Sequence, residues 1–123
     1  MSVAERAMAP TTSPDFLPPW RLRHPHVQSI YPSLPLRRAG VEHRATVLRQ
    51  VSREQLVDCG DGVRLLALVA HQAEAGRPPA TNLAVLLHGW EGSANSLYLL
   101  SLGQHLFDAG YDVVRLNLRD HGD

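Results

Sequence analysis

Cysteine is almost missing from this chain, in which Cys59 is the one thiol among 123 residues. A single cysteine excludes an internal disulfide and fits a reducing compartment. No neighbouring residue would activate the thiol, so we expect Cys59 to be a small buried side chain beside a turn.

Net charge and long apolar runs are missing as well. Twelve basic residues balance twelve acidic ones, so the chain lacks the basic field that a nucleic-acid partner would need. The longest apolar run extends only from Leu65 to Ala70, whereas a membrane span needs about 20 apolar residues. The N-terminal residues Met1 to Pro10 lack the apolar core of a signal peptide. These features predict a cytoplasmic protein that has no transmembrane segment and no nucleic-acid partner.

The stretch from Leu83 to Ser96 has the pattern of a strand, a glycine turn and a helix start. Leu83 to Leu87 is a short apolar run, typical of a buried strand in a parallel sheet. Gly89 and Gly92 are expected to have positive φ in the turn. The candidate helix caps are Ser93, Asn95 and Ser96. Such a junction directs free backbone N–H groups at an anion or an oxyanion.

The segments around this stretch complete an α/β pattern. Glu54–Asp58 and Val63–His71 flank Gly60-Asp61-Gly62, which predicts a β-hairpin. A helix from about Ser96 to Ala109 carries apolar residues over most of its surface, so it should be well buried. Val113–Leu118 should form a strand parallel to the first, joined to it by that helix in a βαβ unit, with its outer edge unpaired.

The N-terminal third offers less regular patterns. Residues 1–15 are expected to form a disordered arm, and residues 16–52 an anchoring segment and linker. Pro25 begins a predicted short helix that runs to Tyr31, and residues 34–52 read as an irregular linker that could include one helical turn. The expected packing anchors are Phe16, Trp20, Val27, Ile30 and Tyr31.

Three motifs together resemble a known family. The first runs from His88 through Gly89 and Gly92 into the predicted helix. The second is Pro18-Pro19-Trp20 followed by Arg-His-Pro-His-Val-Gln-Ser-Ile-Tyr-Pro-Ser, which ends at Ser33. The third is Asn-Leu-Arg-Asp-His-Gly-Asp, from Asn117 to Asp123. They resemble the α/β-hydrolases, in the branch of YheT-like hydrolases and abhydrolase-domain lipases.

The resemblance implies a fold and a fragment. Residues 53–123 would be the first part of an α/β-hydrolase core domain, a hairpin followed by a parallel βαβ unit, with the sheet incomplete. We therefore expect the chain to be the N-terminal part of a longer protein.

The resemblance also implies a serine hydrolase that acts on carboxylic esters, either small-molecule or lipid-like, without a cofactor. Its serine, acid and histidine are expected after Asp123, because no Gly-x-Ser-x-Gly occurs here, and the chain alone should be inactive. The backbone N–H of Trp90 would supply half of an oxyanion hole, in a loop shaped by Gly89 and His88. His88 itself should bond to backbone. The candidate rim residues are Glu91, Asp120 and His121.

Other functions stay open at this point. The glycine turn at a helix N-terminus could cradle a phosphate or nucleotide, although it is neither Gly-x-Gly-x-x-Gly nor a P-loop. The chain could also belong to a hydrolase relative that has lost its catalytic residues. His24 and His26 are two residues apart with no third ligand, so no metal site is expected. The sequence specifies no oligomeric state.

Overall fold

Residues 17–119 are described by a computed structural model. The chain divides into two units, Met1–Leu34 and Pro35–Asp123. This boundary lies inside the segment 16–52 that the sequence pattern groups together. The predicted arm 1–15 and the candidate rim residues Asp120 and His121 lie outside the described residues.

The first unit contains one short helix between two 3-10 turns. The turns are Trp20–Leu22 and Tyr31–Ser33, and helix α1 is Pro25–Ile30. Pro25 occupies the first turn of α1, where its missing N–H has no consequence, so the predicted helix is confirmed. None of the residues in these three elements is buried, and the anchoring role of the aromatic side chains stays a prediction.

The predicted irregular linker is wrong, because it contains two helices of the second unit. These are α2, Pro35–Arg44, and α3, Thr46–Val51. Val41, Ala45 and Leu48 are almost fully buried. Val41 lies in α2, Leu48 lies in α3, and Ala45 is the residue between the two helices. Burial of these three side chains explains why the segment is helical rather than irregular.

The predicted hairpin is confirmed. Strands β1, Arg53–Asp58, and β2, Arg64–Ala70, are antiparallel neighbours. The turn Gly60-Asp61-Gly62 has positive φ at all three residues, and the Val63 N–H donates to the Gly60 carbonyl over 2.9 Å. Cys59 is exposed beside this turn rather than buried as predicted, because the end of the hairpin projects into solvent.

The parallel unit is also confirmed, with a different position for its last strand. Strand β3, Leu83–Leu87, lies parallel to β4, Asp112–Leu116, and helix α4, Leu97–Asp108, connects them. The four strands form one mixed sheet in the order β1-β2-β4-β3. Strand β4 is therefore central, because it also pairs antiparallel with β2. The edges of this sheet are β1 and β3, which corrects the expectation of an unpaired last strand.

The core lies between the helices and one face of the sheet. One apolar cluster contains side chains from α3, α4 and three strands: Leu48, Ala70, Leu86, Leu99, Phe107 and Val113. Helix α4 buries only one side, since Tyr98 and Leu102 on its other side are about half exposed. The prediction of a helix buried over most of its surface is therefore wrong.

The other side of β3 is apolar and exposed. Leu83, Val85 and Leu87 are each more than half exposed, at 58%, 56% and 55%. Only the alternate residues of this strand are shielded, and Leu86 enters the core. The sequence predicted burial on both faces, but between residues 35 and 119 no element covers the outward face.

Gln72 fixes the opposite end of the βαβ unit. Its side-chain amide donates to the carbonyls of Phe107 and Tyr111, over 2.6 and 2.7 Å, just where α4 ends. Its backbone N–H donates to the Asp112 carboxylate over 2.7 Å, and His71 contacts the other oxygen over 2.8 Å. Burial alone would raise the pKa of Asp112, but these hydrogen bonds together lower it.

Within residues 17–119, no helix is long and apolar enough to cross a membrane.

Candidate functional site

Residues 88–96 connect the end of β3 to the start of α4, and we call them the β3–α4 loop. The loop lies at the carboxyl ends of the two parallel strands. Open α/β sheets bind their ligands at this edge, because the connecting loops and helix N-termini meet there.

His88 joins the ends of the two parallel strands. The side chain is buried, and the Leu118 N–H donates to its Nε2 over 3.0 Å. A nitrogen that accepts carries no proton, so the neutral ring holds its proton on Nδ1. Nδ1 lies 2.8 Å from the Gly89 carbonyl and donates to it. The expected bonding of His88 to backbone is confirmed.

The backbone of the loop differs from the predicted glycine turn. Neither Gly89 nor Gly92 has positive φ, whereas Glu91 does, at 55°. The absence of a side chain at Gly92 matters for space instead. A Cβ there would lie 3.0 Å from Ser96 Oγ and 3.1 Å from both the Gly89 carbonyl oxygen and His88 Cβ. Close packing, and not its own dihedral angle, therefore favours glycine at position 92.

The predicted helix caps bond within the loop. Ser96 is the residue that precedes α4, but its side chain does not cap the helix. Its Oγ accepts the Ser93 N–H over 2.9 Å, and Ser93 Oγ accepts the Asn95 N–H over 3.2 Å. The hydroxyls therefore fold the loop onto itself and take up N–H groups that an anion could otherwise bind.

Most loop N–H groups have acceptors, and two do not. The bonded groups before the helix are those of Gly89 to Tyr98 Oη, Gly92 to the Gly89 carbonyl, Ser93 to Ser96 Oγ, Ala94 to Asn117 Oδ1, Asn95 to Ser93 Oγ, and Ser96 to the Ser93 carbonyl. The N–H groups of Trp90 and Glu91 have no acceptor among residues 17–119. These two adjacent donors are the ones available to a ligand.

The side chains of the same two residues face solvent. Trp90 is 92% exposed, the largest value among the exposed apolar side chains, and Glu91 is exposed as well. Asp120 and His121, the other candidate rim residues, lie beyond the part of the chain that the structure describes. Of the predicted site residues, the structure therefore brings together His88, Gly89, Trp90 and Glu91.

Arg115 of β4 and Asn117, which follows β4, contact the loop with their polar side chains. The sequence pattern did not predict a role for either residue. Arg115 and Asn117 are both buried. Asn117 Oδ1 accepts the Ala94 N–H over 2.6 Å, while Arg115 Nη1 donates to the Ala94 carbonyl over 2.9 Å. A signal was present, because Arg115 interrupts the apolar residues Val113, Val114 and Leu116 of a central strand that is followed by an asparagine.

The histidine pair of the first unit has a local structural explanation. His24 Nδ1 accepts the His26 N–H over 3.3 Å and caps α1. No group of three His, Cys, Asp or Glu side chains is arranged to hold a metal ion in residues 17–119.

Comparison of the chain with protein-family models, with curated proteins and with solved structures gave no match. The candidate site is therefore defined by the residues and the geometry of the β3–α4 loop.

Proposed function

We propose that this chain contributes the oxyanion-binding half of a serine hydrolase that cleaves carboxylic esters. The observation that carries the proposal is the unbonded N–H of Trp90 in a loop whose other N–H groups are mostly occupied. In α/β-hydrolases one oxyanion donor comes from the loop between the third strand and the first helix of the core. The β3–α4 loop has the same place, after a third strand and before the helix that crosses to the fourth.

The chemistry requires a donor that is aimed before the reaction begins. A serine Oγ attacks the ester carbonyl, a histidine accepts the serine proton, and the carbonyl oxygen becomes an anion. A backbone N–H that is fixed and desolvated stabilises this anion without reorganisation. His88 suits the task of fixing the loop, because its ring bonds to the carbonyl of Gly89, one residue before the donor.

Serine, acid and general base would come from other residues. The chain contains no Gly-x-Ser-x-Gly, and both serines of the loop act as acceptors for loop N–H groups. The uncovered apolar face of β3 supports a contribution from further polypeptide, since such a face on an edge strand is a site for pairing or coverage. The exposed indole of Trp90 is suited to contact an acyl chain.

The phosphate-binding alternative is less well supported by the same hydrogen bonds. A phosphate cradle uses several consecutive N–H groups. In this loop the N–H groups of Gly92, Ser93 and Ala94 donate to protein acceptors. Within residues 17–119, these bonded groups separate the free N–H groups of Trp90 and Glu91 from those of the first turn of α4. The loop therefore offers a pair of adjacent donors instead of a continuous cradle, which suits a single oxyanion better than a phosphate.

The test compares the complete open reading frame that contains this chain with the 123-residue chain itself. We expect the complete protein to hydrolyse short-chain p-nitrophenyl esters and to be labelled by a fluorophosphonate on a serine outside these 123 residues. The 123-residue chain should neither turn over ester nor be labelled. Labelling of Ser93 or Ser96, or a complete protein that is neither active nor labelled, would contradict the proposal.

A further inference from the structure

Among residues 17–119, Arg115 is a buried cation without a carboxylate partner. Its exposed fraction is 1%, and no salt bridge in residues 17–119 includes it. Burial lowers its pKa to about 10, and the like charge of Arg49 adds to this effect, so the guanidinium is still charged at neutral pH. Its Nε is buried with no hydrogen-bond partner among the described residues. A buried charge with these deficits is expensive for stability.

The donors of Arg115 are directed at two separate segments. Nη1 lies 2.9 Å from the Ala94 carbonyl and 3.3 Å from Asn95 Oδ1, both in the β3–α4 loop. Nη2 lies 3.1 Å from Ser52 Oγ, and that hydroxyl donates to the Leu48 carbonyl over 2.6 Å at the end of α3. The planar guanidinium presents separate nitrogens to the acceptors on the two sides, whereas an ammonium presents a single nitrogen. Arg115 therefore ties the loop to the helix layer.

Asn117 binds the same part of the loop as Arg115. Its side chain accepts the Ala94 N–H, while Arg115 donates to the carbonyl of the same residue. Ala94 is fully buried and has both backbone groups bonded to side chains from one segment of the chain, β4 and its extension. The position of this part of the loop is thus set by side chains of a central strand.

We propose that Arg115 is a positioning residue, whose guanidinium fixes the Ala94–Asn95 segment against α3 and thereby holds the Trp90 N–H in its orientation. The link to Trp90 rests on the proposed function, whereas the fixing of Ala94 does not. The side chain touches neither substrate nor reacting atoms in this account. Burial of the guanidinium lowers stability, and its hydrogen bonds give the loop a defined geometry.

The test uses Arg115→Met and Arg115→Lys in the complete open reading frame. Methionine is flexible, apolar and shorter, so it removes the unfavourable buried charge and leaves the Ala94 carbonyl without its donor from Nη1. We expect Arg115→Met to stay folded and to lose about 10- to 100-fold in kcat with little change in KM, the scale of a small displacement of a catalytic group. Arg115→Lys keeps a cationic donor group on a single nitrogen and should restore part of kcat. The matched control is Gln72→Met, which removes buried hydrogen bonds at the far end of α4 and should lower Tm without this loss of kcat.

Amide exchange separates failure of this inference from failure of the proposed function. In Arg115→Met the Ala94 amide should exchange about tenfold faster or more, relative to the Val114 amide in β4, because the loop opens locally. Unchanged Ala94 protection, or kcat within about twofold of the parent in a folded Arg115→Met protein, overturns the inference. Faster Ala94 exchange in a protein that lacks esterase activity supports the positioning of the loop and contradicts the proposed function alone.

Discussion

Trp90→Pro in the complete protein is expected to lower kcat for a short-chain ester by about a hundred- to a thousand-fold, the loss seen for one oxyanion donor. Proline has no backbone N–H, so the substitution removes the donor that lacks an acceptor among residues 17–119. KM should change little, because the bond is stronger to the transition-state anion than to the ground-state carbonyl. Steady-state kinetics on one ester, with circular dichroism to confirm folding, make the measurement.

Trp90→Ala is the matched control for that substitution. It keeps the backbone N–H and removes an indole that is 92% exposed, so the fold should lose little packing. We expect kcat within about threefold of the parent. KM should rise above that of the parent, and more for long acyl chains than for short ones, since a pocket wall contributes uniform binding. A folded Trp90→Pro protein with the kcat of Trp90→Ala would show that the loop is a structural turn only.

Gly92→Ala is expected to lower kcat by about tenfold, because the neighbours of the added Cβ must move by a few tenths of an ångström and a displacement of ~1 Å costs about a hundredfold. The added Cβ would lie 3.1 Å from the Gly89 carbonyl oxygen and 3.1 Å from His88 Cβ. A flexible side chain could move aside. The Gly89 oxygen, however, belongs to the backbone, and the His88 side chain is fixed by hydrogen bonds at both ring nitrogens. The loop must therefore shift, and the Trp90 N–H shifts with it.

Gly89→Ala is the control for the Gly92 substitution. Its Cβ would meet only Tyr98 Oη, at 3.6 Å, which is ordinary contact. Its φ is not positive, so alanine is conformationally allowed. We expect kcat within about threefold of the parent by the same steady-state assay. Equal losses for the two alanine variants would contradict the account of the loop by steric contact.

The sequence predicted the strands and the crossover helix well, because these elements follow from local patterns. The hairpin turn needs positive φ at Gly60 and Gly62, and both glycines stand there. Gly110 has a φ of 94° just after α4, and a glycine in this conformation commonly follows the end of a helix. Short apolar runs likewise predicted β3 and β4.

The failures came from interactions between distant residues. The helices α2 and α3 depend on the burial of Leu48 against α4, where Gln104 Oε1 accepts the Leu48 N–H over 3.1 Å. A window of sequence around residues 34–52 does not contain that partner. Solvation of β3 likewise depends on what covers the sheet, which the composition of Leu83–Leu87 does not specify.

The site was predictable in its location but not in its geometry. The pattern from His88 to Gly92 placed the loop and its candidate donor. It did not show that Glu91 would take the positive φ, or that Gly92 would be needed for space. It also gave no role to Arg115 and Asn117, because their contacts with Ala94 join residues about 20 positions apart.

The most direct test of the central claim is the amide resonance of Trp90 in a phosphonate adduct. A fluorophosphonate that reacts with the nucleophilic serine leaves a tetrahedral group whose oxygen mimics the oxyanion. In 15N-labelled complete protein, the Trp90 amide proton should move strongly downfield when the adduct forms, because it gains a charge-assisted hydrogen bond. The Gly92 amide already donates to the Gly89 carbonyl and should move little. A Trp90 amide that stays at its original position in a fully labelled protein would contradict the oxyanion assignment.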